Sequence, residues 1–381
     1  MEKVFLRRAD SYEDSGAIER SVASLLDNCG MDADYSGQKV VVKPNMLRRC
    51  SPADAITTDP SVLRAVLKYL REHGADDITV FDSPGGVNTP EMILGTYRAC
   101  GYTSPAEEFG AIISTDSSYT DCVLSDGSTI PICNVVLKAD VLIDLCKLKT
   151  HAMTGMTAAV KNMFGSVPGA VKAETHLRFP ERDKFCGEIC RIAEKTAPTV
   201  SLCDAIVGME GDGPAAGTPR KFGFLAASRD PFVLDGVLCD LIGMKPDEAG
   251  TVDASIALGL CPADPEEIET EGDRIERITD LRKAKSTSFD FSGSLPSFLR
   301  PAFNALANMM TARPSVAKNE CVGCGRCAES CPNKAIRITG GKAEIDRELC
   351  IKCYCCHELC PKKAVHVKRS IFRRVSGKSR T

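Results

Sequence analysis

Apolar positions in the first hundred residues switch between two spacings. Val4 to Leu6 is a short apolar run that predicts a strand. Ser15 to Asn28 places Ile18, Val22, Leu25 and Leu26 on one helical face, and Gly30 stops it. Lys39-Val-Val-Val-Lys43 is continuously apolar at its centre and predicts a buried strand ended by Pro44. Asp59 then caps a helix with Pro60 at its first position, an apolar face of Val62, Leu63, Val66, Leu67 and Leu70, and a stop at Gly74. Asp77 to Phe81 predicts a strand, Asp82 to Gly86 a turn, and Pro90 to Cys100 a helix. This alternation of strand and helix predicts an α/β fold: a mostly parallel sheet with helices on both faces.

Further along, Cys122 to Ile132 predicts a hairpin turning at Asp126-Gly127. Val141 to Leu145, Thr199 to Leu202 and Phe222 to Ala227 predict strands. A helix is expected from Pro231 to Ile242 behind Asp230, helical structure over 246–260, and a last strand at Ile268 to Thr270. The large domain is thus expected to span 1–285. Residues 286–314 divide into a Ser-rich linker and an amphipathic segment with Phe298, Leu299, Phe303, Leu306 and Met310 at helical spacing. That segment predicts a helix packing a second module onto the large domain; a membrane-surface helix is the alternative, disfavoured by a polar face poor in Lys. Residues 369–381 form a basic tail, expected to be solvated, with docking to an acidic partner or anionic surface as the other reading.

The second module, 315–368, carries the most specific signal. Cys321, Cys324, Cys327 and Cys331-Pro332 form one C-x2-C-x2-C-x3-C-P run, and Cys350, Cys353, Cys356 and Cys360-Pro361 form another. Such runs hold [4Fe–4S] clusters, the fourth cysteine of each run reaching the other cluster. The predicted ligand sets are therefore Cys321, Cys324, Cys327 and Cys360 for one cluster, and Cys350, Cys353, Cys356 and Cys331 for the other. Four-coordinate zinc gains nothing from the third cysteine or the proline, so two full runs in tandem argue against it. The module resembles the two-cluster bacterial ferredoxins, which implies a small α+β fold. Cys355 is a ninth cysteine inside the second run, expected to be a spectator unless it competes as a ligand.

Twenty cysteines would suggest disulfides in a small secreted chain, but the eleven outside the module are scattered irregularly. The net charge of −3 lacks the basic excess of a general nucleic-acid binder. The start, Met-Glu-Lys-Val-Phe-Leu-Arg-Arg, does not look like a signal peptide, and no apolar run approaches about 18 residues. Together with oxygen-sensitive clusters this predicts a cytoplasmic protein, in a reducing cell such as an anaerobe.

In open α/β sheets ligands bind beyond the carboxyl ends of the strands. The residues there are Lys43 and Asn45; Asp82, Ser83, Gly85 and Gly86; Lys147, Lys149, Thr150 and His151; Asp204; Glu210 and Asp212; and Ser228 and Asp230. Lys161 and Asn162 follow, then Lys172 and His176. Several cations with few carboxylates suit a phosphate, a carboxylate or a developing oxyanion, and a histidine among them could donate a proton. The competing reading is a solvated edge with a packed loop histidine. The glycine-rich stretch Gly208 to Gly217 does not match a dinucleotide fingerprint, and Glu210 and Asp212 within it could add acid–base or metal character. Cys186 and Cys190, four apart, read as buried core rather than soft ligands.

The succession Lys43-Pro44-Asn45, Thr57-Thr58-Asp59-Pro60, Lys147-Leu-Lys149-Thr150-His151, Lys161-Asn162, Met209 to Pro214 and Asp230-Pro231 resembles the family catalogued as domain of unknown function 362. That resemblance covers nearly the whole chain and implies an iron–sulfur protein of redox type, without a reaction. The expected function is an oxidoreductase or electron-transfer protein with two [4Fe–4S] clusters. These serve an anionic small molecule, or a further organic cofactor or metal, in the large domain. His151, Lys149 and Lys161 are the expected catalytic residues; Lys43, Asn45, Thr150, Asn162, Glu210 and Asp212 are the expected ligand-binding ones. A protein donor or acceptor of electrons is the expected partner. The alternatives are a non-enzymatic carrier or adaptor that docks a partner, and a cluster-assembly factor.

Overall fold

The computed structural model describes residues 2–86, 88–284 and 312–368. The large domain runs β1 (Val4–Arg8), α1 (Ser15–Asn28), β2 (Lys39–Pro44), α2 (Pro60–Glu72), β3 (Asp77–Val80), α3 (Pro90–Ala99), α4 (Thr103–Glu108) and β4 (Ile112–Ile113). A hairpin of β5 (Tyr119–Val123) and β6 (Thr129–Cys133) leads through α5 (Asn134–Leu137) to β7 (Val141–His151) and β8 (Gly155–Thr157). Then come α6 (Ala159–Asn162), α7 (Gly169–Arg178), α8 (Arg182–Thr196), β9 (Val200–Glu210), β10 (Thr218–Ser228), α9 (Pro231–Leu241), α10 (Gly250–Ala257) and β11 (Thr270–Gly272). The caps read from sequence form as expected. Asp59 accepts from the Ser61 amide at 2.9 Å, and Asp230 from the Phe232 amide at 2.8 Å.

The main sheet has the order β11-β1-β10-β9-β7-β2-β3-β4, with β8 folded back on β7. Its centre, β9-β7-β2-β3, is parallel; β10 is antiparallel to both β9 and β1. The sheet is therefore mixed, more so than the strand–helix rhythm suggests, because β9 and β10 join directly as a long hairpin. The predicted final strand is shifted to Thr270–Gly272, and 246–260 divides into a turn at Pro246–Glu248 and α10. The stretch 286–311 and the tail 369–381 lie outside the described residues.

Alternation along the central strands feeds two cores. Val40, Val42, Val141, Ile143 and Leu145 face α1, α2 and α3. Val41, Leu142, Cys146 and Leu148 face α6, α8, α9 and the β5–β6 hairpin. Cys186 and Cys190 lie in this second core, fully buried, as packing residues.

The C-terminal module consists of β12 (Arg313–Val316), α11 (Arg326–Glu329), β13 (Ile336–Thr339), β14 (Lys342–Ile345), α12 (Cys355–Glu358) and β15 (Val365–Lys368). It has a small core of its own, while Ala312, Tyr354 and Val367 join the core of the large domain. The His357 ring lies between two carbonyls, Nδ1 2.6 Å from that of Val365 and Nε2 3.1 Å from that of Asp212, and Lys363 pairs with Asp54 at 3.2 Å. The module sits over the strand ends. Among the described residues no helix is long and apolar enough to cross a membrane.

Candidate functional site

The chain passes from β2 outward to β3 and β4, then returns to place β7 on the other side of β2. This reversal opens a crevice at the carboxyl ends of β2 and β7, where open α/β sheets bind ligands. A cleft of about 790 Å³, counted to its open mouth, lies there. Asn45 to Leu47 behind β2, Asp82 to Gly86 behind β3, Lys149 and His151 at the end of β7, and the α6–α7 segment line it. Ser330, Cys355, Glu358 and Leu359 of the C-terminal module close one side.

A buried polar chain fixes the floor. The Lys149 ammonium donates to Asn45 Oδ1 and, at 2.6 Å, to the Ile56 carbonyl. Asn45 Nδ2 donates to Asn162 Oδ1 at 2.9 Å, and Asn162 Nδ2 to Asp144 Oδ1 at 2.7 Å. Burial lifts Asp144 to about 7 and lowers Lys149 to about 7. Asn162 and Lys161 are presented by α6. The first two amides of α6 are capped by buried Asp235, at 2.8 and 3.2 Å. Asp235 is thus a positioning residue, and burial raises it to about 8.

His151 accepts at Nδ1 from the Met153 and Thr154 amides, at 3.0 and 3.2 Å. Its proton therefore resides on Nε2, which is 3.3 Å from Glu358 Oε1. Burial lowers the His151 pKa, and a proton on Nδ1 would break both amide bonds. The ring is held neutral, with one N–H turned to the cleft. The Lys161 ammonium lies over Phe164 and Phe185, 4.8 and 5.6 Å from the ring centroids. Lys172 lies 5.6 Å over the same Phe164 and donates to the Ser83 carbonyl. Burial lowers both amines, Lys172 to about 8. His176 stacks on Phe185 at 4.3 Å, and burial pushes it down to about 3.

The cysteine module has a second cavity, of about 360 Å³, ringed by Cys321, Cys324, Cys327 and Cys360. The amides of Ala343, Ala364 and Ala335 already point at Cys321, Cys360 and Cys331 sulfurs, at 3.4, 3.3 and 3.2 Å. Such N–H···S bonds stabilise cluster thiolates. A soft four-sulfur ring around a cavity suits an iron–sulfur cluster. Among the described residues no three His, Cys, Asp or Glu side chains converge on a position for a single metal ion.

Residues 40–240 match the model of the family described as domain of unknown function (DUF362), and residues 320–364 match that of the 4Fe-4S dicluster domain. The thylakoid-associated protein sll1697 of Synechocystis is 34% identical over 312 residues, covering 80% of this chain and 94% of that protein. The chain belongs to the DUF362 family. Among solved structures, the lactate racemase apoprotein of Thermoanaerobacterium thermosaccharolyticum shares 17% identity at a TM-score of 0.35, over 54% of this chain and 51% of that one. The chain thus spans about half of that structure.

In this DUF362 chain, five of the residues picked out at strand ends meet in one cleft: Asn45, Lys149, His151, Lys161 and Asn162. Four others are placed elsewhere. Lys43 is fully buried behind the cleft, paired with Asp82 at 3.0 Å. The Thr150 hydroxyl turns to the Gly211 carbonyl at 2.9 Å. Glu210 is clamped by Arg220 and Arg282, at 2.8 and 2.6 Å; burial works to raise its pKa, but the two guanidiniums leave it below the usual range. Glu210 and Asp212 do not line the cleft. Lys147 is also taken up structurally, by Asp204 at 2.7 Å and Tyr12 at 2.8 Å. The participants missed are Asp144 and Asp235 beneath the floor and Glu358 in the wall. The signal for Glu358 was an acidic residue at the end of a cluster helix, beside His357.

Proposed function

We propose that this chain is an iron–sulfur oxidoreductase that delivers electrons to an anionic small molecule held in the cleft. The carrying observation is Glu358. It lies between Cys356 and Cys360, yet is buried against His151 of the large domain. The cysteine module therefore forms a wall of the cleft, an arrangement that a tethered carrier with an unrelated partner domain does not need. Cys321, Cys324, Cys327 and Cys360 would hold one [4Fe–4S] cluster, and Cys331, Cys350, Cys353 and Cys356 the other. When bound, the clusters supply one-electron transfer at low potential. Cys324 is exposed and offers a protein donor its approach, whereas Cys356 is buried and the adjoining Cys355 lines the cleft. Lys149, Lys161 and Lys172 attract the anion. His151, held neutral, offers its Nε2–H as a hydrogen-bond donor to the ligand and to negative charge developing on it.

The test is made without oxygen on iron-loaded full-length protein, reduced and then mixed with candidate anions. Reoxidation of the reduced chain by an anion that binds is expected, and H151Q should slow it by about a hundredfold with iron content unchanged. If no bound anion draws electrons, or if H151Q proceeds at the wild-type rate, the reading fails.

A pH dependence follows from the two depressed amines. Lys149 and Lys172 carry charge below about 7 and about 8, respectively, and lose it above. Anion affinity should therefore fall as pH rises from 7 to 9, by about tenfold when both charges are lost. Calorimetric titration across that range checks it; affinity that rises with pH would contradict the assignment.

A further inference from the structure

We infer that the ligand of this cleft is a small organic acid that also carries an O–H or N–H donor. The inference rests on the substrate reading above and names the class of molecule. In the cleft, the Lys161 ammonium has no hydrogen-bond acceptor among the described residues and lies over Phe164 and Phe185. Lys172 adds a second ammonium over Phe164. Asp82, the carboxylate facing Lys172, is already taken up by Lys43 at 3.0 Å and by the amides of Met46 and Ser83, at 2.7 and 2.9 Å; the carboxylate facing Lys161 is Glu358, which forms no ion pair with it. Two cations over one aromatic ring call for an anionic group.

Beside these cations, on the same pair of rings, the cleft asks for the opposite. Glu358 Oε1 has no hydrogen-bond partner, its contact with His151 Nε2 being misaligned. His176 Nδ1 is also without a partner. The two residues are only 9% and 4% exposed, and both line the cleft. Buried polar atoms left bare are uncommon in folded proteins, and a carboxylate oxygen is an acceptor only. A ligand that is anionic throughout would set negative charge against Glu358. A ligand with its acid group at Lys161 and Lys172 and a hydroxyl or amine toward Glu358 satisfies both demands. Leu47, Pro84, Pro214 and Leu359 leave an apolar flank for its carbon frame.

The test uses acetate, glycolate and inorganic phosphate as probes, titrated into oxidised, iron-loaded full-length protein at pH 7 and followed by ligand-observed NMR. Acetate supplies the acid group alone, glycolate adds a hydroxyl, and phosphate spreads negative charge over the whole probe. Glycolate is expected to bind about tenfold more tightly than acetate, with phosphate weakest. K161M should weaken glycolate and acetate together. E358A, checked for unchanged iron content, should bring their ratio close to one. Equal binding of glycolate and acetate by the wild-type chain, or binding of neither, overturns the inference. The titration involves no electron transfer, so it succeeds or fails separately from the redox reading.

Discussion

Replacing Cys356 with serine is expected to lower bound iron from about eight atoms per chain to about four. It should also abolish reoxidation by anions in the cleft. A serine oxygen is a harder, more basic ligand than a thiolate and does not substitute for it at an iron–sulfur centre. The loss does not stop at the cluster. Cys356 sits in α12, between Cys355 and Glu358, which both line the cleft. Unmaking the cluster frees the short helix that carries this wall. Serine at Cys355 makes the contrast. That residue is buried, lines the cleft and touches Cys353 but stands outside both predicted ligand sets, so the variant should keep about eight iron. Iron and sulfide assays on both proteins decide the matter. Half the iron lost from C355S, and none from C356S, would move the ligand assignment by one position.

The contrast between these two cysteines also indicates how much of the molecule can be read from sequence. The cysteine runs are legible because their spacing is local. So are the caps at Asp59 and Asp230 and the turn at Asp126-Gly127, where each signal and its consequence lie within a few residues. The strand-end rule located the cleft, since Asn45, Lys149 and His151 each follow or end a central strand. It failed for Glu210 and Asp212 for a specific reason. β9 runs on to Glu210 and turns directly into β10, which brings Arg220 opposite. A carboxylate that gains two guanidinium partners through a hairpin return is spoken for, and nothing near it in sequence announces Arg220 or Arg282. Glu358 was hidden for the same physical reason in reverse. Its environment is made by His151, some two hundred residues earlier, once the module docks on the strand ends.

Gly165 to alanine is expected to cost about 3–5 kcal/mol of stability, the range for breaking a buried ion pair. A Cβ at this position would collide with both Asp82 Oδ1 and Lys43 Nζ, the two atoms that pair at 3.0 Å. Neither side chain has anywhere to go. Lys43 is fully buried, and Asp82 is held by the amides of Met46 and Ser83. K43M should cost a similar amount by a different route, because it leaves the Asp82 carboxylate buried without its counter-charge. Since both changes act on one pair, their effects in the double variant should fall short of the sum. The pair also ties the end of β2 to the loop behind β3, and Gly165 adjoins Phe164, the ring beneath Lys161 and Lys172. G165A should therefore weaken anion binding as well as the fold. Denaturant unfolding of the iron-loaded proteins, with anion titration of each, measures both. A G165A protein as stable as wild type would mean that Asp82 can leave Lys43 freely, and the rigid floor argued for this cleft would be wrong.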